Sequence, residues 1–65
     1  MIYEIRLEQF TWSTTDSDIA ATWGPKIARL YGGCEMTMKN DSGGGHVAVY
    51  DAAGNIKEMR GLDDV

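Results

Sequence analysis

Residues 34–61 read CEMTMKNDSGGGHVAVYDAAGNIKEMRG, and the fold follows from how this stretch divides. Cys34, Met36 and Met38 alternate with Glu35, Thr37 and Lys39, the period of two that marks a strand with one dry and one wet face. Asn40 to Gly45 concentrates residues that bend locally or accept positive φ, so it reads as a turn. His46 to Asp51 is a further strand, with Val47 and Val49 assigned to the inner face and His46, Ala48 and Tyr50 to the outer. Asp51 to Asn55 reads as a hairpin loop with Gly54 in the left-handed position. Ile56 to Arg60 then makes a short last strand, followed by the acidic tail GLDDV. The stretch is an antiparallel meander.

The first half supplies what packs against it. From Tyr3 to Gln9, Tyr3, Ile5 and Leu7 alternate with Glu4, Arg6 and Glu8, which predicts an opening strand. Phe10 and Trp12 fall on the polar parity, so that strand ends near Gln9, and Trp12 is left in the connection as an exposed aromatic. Ser13, Thr14, Thr15 and Asp16 are all good helix N-caps, and Asp16 and Asp18 complement the helix dipole. Ile19, Trp23, Ile27 and Leu30 recur at helical spacing and predict the face that meets the sheet. Gly32-Gly33 stops the helix, and Pro25 predicts a kink within it. The expected fold is α+β: one domain over residues 1–65, β-α-β-β-β, an antiparallel sheet with one kinked helix on one face. The expected core is Tyr3, Ile5, Leu7, Ile19, Trp23, Ile27, Leu30, Met36, Met38, Val47 and Val49.

Composition narrows the chemistry. In 65 residues, 43% apolar and 25% charged, there is material for one thin core and no room for a second domain. Cys34 is the only cysteine, so no disulfide forms within the chain. With a single histidine beside it, the chain falls short of the N/S ligands of a structural zinc, and no cofactor is expected. Cys34 and His46 are the only pair that could run nucleophilic catalysis. They are expected on opposite faces, Cys34 inward and His46 outward, so no enzyme is predicted. Ser42-Gly43-Gly44-Gly45 lacks the lysine and following helix of a phosphate loop. The N-terminus has no apolar signal core, and no run reaches the ~18–20 apolar residues of a membrane span, so a cytoplasmic, membrane-free protein is expected.

Six basic residues stand against ten acidic ones. That balance disfavours direct nucleic-acid binding, which needs basic side chains to displace counterions from phosphates. It favours a protein partner with a basic surface. Glu4, Glu8 and Glu35 are assigned to the uncovered sheet face, with Tyr50 as its aromatic and Glu58 joining if the last strand turns it outward. Asp16 and Asp18 at the helix start, and Asp63 and Asp64 in the tail, form further acidic groups.

The element order, the size, the acidity and the meander of residues 34–61 resemble small phage-encoded anti-CRISPR proteins of type I systems. That resemblance implies a stoichiometric inhibitor that binds the RNA-guided surveillance complex at a Lys/Arg-rich, DNA-contacting surface of a Cas subunit and blocks target-DNA recognition. It carries over no individual residue. A small phage accessory protein acting through protein contacts, and a nucleic-acid module stacking bases on Tyr50 and His46, remain alternatives. A monomer is favoured over a dimer through a sheet edge.

Overall fold

The computed structural model describes residues 1–61. The chain forms β1 (Ile2–Arg6), β2 (Thr11–Thr14), α1 (Ser17–Tyr31), β3 (Cys34–Lys39), β4 (Gly45–Tyr50) and β5 (Ile56–Gly61). All strands join one antiparallel sheet in the order β2-β1-β3-β4-β5. The α+β class, the three-strand meander and the single helix packed on the sheet are as the sequence predicts. The opening strand, however, is a hairpin. It ends at Arg6, the Leu7 N–H donates to the Phe10 carbonyl at 2.9 Å, and residues 11–14 return along it. Trp12 pairs with Ile5 and packs against the core instead of hanging in a connection. Four residues are too few to show a period, and the N-cap-like Ser13 and Thr14 hide a strand whose Thr and Trp residues suit a sheet.

α1 starts where Asp16 caps it, Oδ1 accepting from the Asp18 and Ile19 N–H groups at 2.8 and 3.2 Å. It runs unbroken through Pro25 and ends at Gly32, whose φ of 80° is the left-handed C-cap geometry. Of its expected packing face only Ile27 is buried. Ala20, Gly24, Ile27 and Ala28 are buried, whereas Ile19, Trp23 and Leu30 are exposed, Leu30 by 70%. The sheet supplies bulk between the layers: Met36 and Tyr50 rise into the interlayer space against Gly24, where no side chain fits. A Cβ at Gly24 would lie 2.8 Å from Met36 Cε and 3.0 Å from Tyr50 Oη.

The second correction is the parity of β4. Antiparallel partners share a face, and the register sets Cys34 opposite Tyr50, Met36 opposite Ala48 and Met38 opposite His46. Ala48 and Tyr50 therefore lie under the helix, and Val47 and Val49 face outward. Tyr50, expected on the outer face, is a core residue at 8% exposure. The loop between the strands decides this register. Asn40 Oδ1 accepts from Ser42 N, Ser42 Oγ and Gly44 N at 2.8–3.1 Å, and the Asn40 N–H donates to the Gly44 carbonyl at 2.8 Å. That closure seats Gly45 opposite Lys39, and a one-residue slip would turn every β4 side chain over.

The core is Ile5, Ala20, Ile27, Ala28, Cys34, Met36, Ala48 and Tyr50, with Tyr3, Leu7, Trp12 and Met38 partly buried around it. Ile5→Ala should cost ~2–5 kcal/mol, the range for emptying a buried aliphatic site. Leu30→Ala should change stability by less than ~0.5 kcal/mol. Gly24→Ala should destabilise although alanine favours helices by ~1 kcal/mol, because overpacking costs ~1–3 kcal/mol. Urea midpoints of the three variants check this ranking, and a loss at Leu30 equal to that at Ile5 would refute it.

Candidate functional site

The outer face of the sheet holds the carboxylates assigned to partner binding, and the structure balances most of their charge. Glu4 and Glu35 point outward as expected, and so does Glu58, one register step from Arg60. Glu4 Oε1 lies 3.3 Å from Arg6 Nε. Arg60 pairs with Glu35 Oε2 at 3.1 Å and with Glu58 Oε2 at 3.5 Å. Arg60 stands opposite Val47, and Glu35 and Glu58 stand on either side of Val49. The arginine thus reaches across β4 from β5 to β3, and Val47 is buried on a face that no helix covers. The half-exposed Arg60 side chain crosses the outer face at this register on its way to Glu35. With Lys39 also on this face, the sheet surface is zwitterionic and not an acidic patch.

The remaining expected residues are scattered. Glu8 lies in the turn that closes the β1-β2 hairpin, off the sheet face. Tyr50 is beneath α1. Asp16 and Asp18 are exposed at the helix start, Asp16 engaged as the cap. Asp63 and Asp64, which carry half of the formal −4, lie outside the described residues.

Two apolar surfaces were not foreseen. On one side of α1, Ile19, Trp23 and Leu30 are each more than 40% exposed, and so is Tyr31 at the C-terminal end of the packing face. Lys26 Nζ sits 4.9 Å above the Trp23 ring, and Tyr31 meets Phe10 at 5.5 Å between ring centres. The second surface is a groove of about 150 Å³ between the first half of α1 and the β5 side of the sheet, lined chiefly by Tyr3, Met36, Met38, Tyr50, Ile56 and Met59. The signal that could have revealed the first is Ala20, Gly24 and Ala28, a small residue at every fourth position. Such a row lets a helix approach closely and rotates its large residues outward.

Cys34 and His46 do not form a pair. They occupy the same sheet face, contrary to the expected parity, but stand opposite Tyr50 and Met38 respectively, four residues or about 13 Å apart along the strands. The Cys34 Sγ donates to the Gly24 carbonyl at 3.8 Å. Burial first, and the neighbouring Glu35 carboxylate second, raise its pKa above the ordinary thiol value. The Tyr50 phenol is raised too, by burial and then by Cys34. Among the described residues no three His, Cys, Asp or Glu side chains gather as a metal site, and no helix is long and apolar enough to cross a membrane.

No protein-family model, curated protein or solved structure matches this chain.

The two raised pKa values have a consequence for stability. The folded state holds the Cys34 and Tyr50 protons more tightly than the unfolded chain, so their contribution is present in full below the ordinary thiol pKa. It is lost as pH climbs from there through the raised folded values. The urea midpoint should fall as pH rises above the ordinary thiol value of about 8.5 and on past the ordinary phenol value of about 10, and Cys34→Ala should flatten the first part of that fall. A wild-type midpoint that is level across this window would contradict the assignment.

Proposed function

We infer that the chain is a non-catalytic inhibitor that acts by binding a protein partner, docking on a basic, nucleic-acid-contacting surface and keeping the nucleic acid away from it. The resemblance to type I anti-CRISPR proteins makes a Cas subunit of a surveillance complex the first partner to test. The observation that carries this reading is the solvent face of α1. A domain this small needs its large apolar side chains for its core, yet Leu30 is 70% exposed and Ile19 and Trp23 more than 40%, while Ala20, Gly24 and Ala28 face the sheet beside Ile27. Exposed apolar residues that line up on one element mark interaction surfaces, and tryptophan is among the commonest binding anchors. Asp16 and Asp18 at the start of the same helix add an acidic rim, which suits a Lys/Arg-rich partner and speeds encounter with it.

The zwitterionic sheet face has a weaker claim. Glu4 and Glu35 are already engaged by Arg6 and Arg60, so a partner's cations would have to displace internal ones. Glu8 stands apart from both.

Titration of a purified type I surveillance complex, with target-DNA binding as the readout, separates the surfaces. Trp23→Ala should weaken inhibition at least ~10-fold, as truncation of an interface anchor does. Asp16→Asn with Asp18→Asn keeps the helix cap, since asparagine caps as well as aspartate. It should weaken binding less and reduce its salt sensitivity. Glu4→Gln with Glu35→Gln should leave inhibition near wild type. A folded Trp23→Ala variant that inhibits fully would move the interface off α1. A wild-type protein that leaves DNA binding untouched would exclude the surveillance complex as target.

A further inference from the structure

The sheet has two edges, and they are finished differently. β2 is short, and α1 packs on it and on β1, β3 and β4, but stops short of β5. All six residues of β5 are exposed, and among the described residues no strand lies along one side of its backbone. Ile56 and Met59, each about half exposed, stand at the rim of the apolar groove where the helix ends its cover. An edge with free N–H and C=O groups beside an open apolar groove is a template for a further strand.

The charges of β5 select which strand. A closed pair of identical chains needs a two-fold axis, and an edge-to-edge antiparallel ladder places that axis normal to the sheet. One residue must then face its own copy, and that choice fixes every other pair. Centred on Lys57, Glu58 or Arg60, the ladder sets like charges against each other. Centred on Met59, it sets Glu58 of each chain opposite Arg60 of the other, on the outer face where the two already pair within the chain at 3.5 Å and Arg60 also holds Glu35 at 3.1 Å, so the cross-chain contacts extend that row of ion pairs. Met59 then meets Met59 on the inner face, between the two grooves. The β-bulge at Val49/Tyr50 distorts the start of β5 near Lys57 and leaves Glu58–Gly61 in regular pairing with β4. Natural edges commonly carry charge to repel other strands. Here the alternating signs of Glu58 and Arg60 attract in the Met59 register, the one centre on β5 that sets these two opposite charges against each other.

The geometry points to a symmetric dimer in which the β5 strands of two copies of this chain pair antiparallel about Met59, closing both sheets into one and covering the apolar grooves. This reading is independent of the partner-binding face on α1, because the two helices remain on the far side of each groove from the new axis.

Sedimentation of the full chain from micromolar to millimolar concentration tests it. Wild type should show a monomer–dimer equilibrium. Glu58→Arg alone sets Arg against Arg60, and Arg60→Glu alone sets Glu against Glu58. Each should weaken self-association at least ~10-fold. An equal mixture of the two variants restores opposite charges at both cross-strand positions and should dimerise again. The mixture is decisive because a variant that had merely unfolded would not be rescued by the other, and circular dichroism of each confirms the fold. A wild type that stays monomeric at all concentrations overturns the proposal. So do single variants that dimerise as wild type does, or a mixture that does not recover.

Discussion

The close seat of α1 on the sheet at Gly24 is the contact from which the rest of the arrangement follows. With no side chain at this position, Met36 and Tyr50 rise between the layers and the Cys34 thiol reaches the Gly24 carbonyl. Because the sheet supplies the filling, the helix can present only Ala20, Gly24, Ile27 and Ala28 to it. Ile19, Trp23 and Leu30 are turned outward in consequence. The apolar stripe on the surface is thus produced by the geometry of the core.

A second consequence concerns reach. One helix of fifteen residues seated this closely covers four strands of a five-stranded sheet, and β5 lies beyond it. The described residues therefore expose apolar side chains along α1 and at the β5 rim of the groove, while the face without a helix carries ion pairs, with Ile2 exposed at its β1 end. This inverts the ordinary expectation that the uncovered sheet face is where a small α+β domain meets its partners. Individually such exposed pairs contribute little to stability, but they do set where net charge is available. It is available at the helix start more than on the sheet.

Much of the fold was legible in order of residues. The alternation from Cys34 to Lys39, the turn residues from Asn40 to Gly45, the Gly54 turn and the Asp16 and Gly32 caps each state a local preference that the structure keeps. These signals rest on backbone chemistry that acts within a few residues. Glu4, Glu35, Asp16 and Asp18 were also placed on the surface correctly, since charge avoids burial wherever the chain goes. The hairpin at β2 was not legible, because four residues resembling a helix cap carry too little pattern to compete with it.

The sequence by itself determined the strands of the meander, the turns between them and where the helix ends. Tertiary structure alone decided which way the faces turn. HVAVY is apolar on both parities, so only the closure of the Asn40 loop against β3 could choose Ala48 and Tyr50 for the core over Val47 and Val49. The helix has a large apolar stripe and a small one, and periodicity favours the large. The small one packs because Met36 and Tyr50 already fill the gap, a fact of volume across two layers that no local pattern contains.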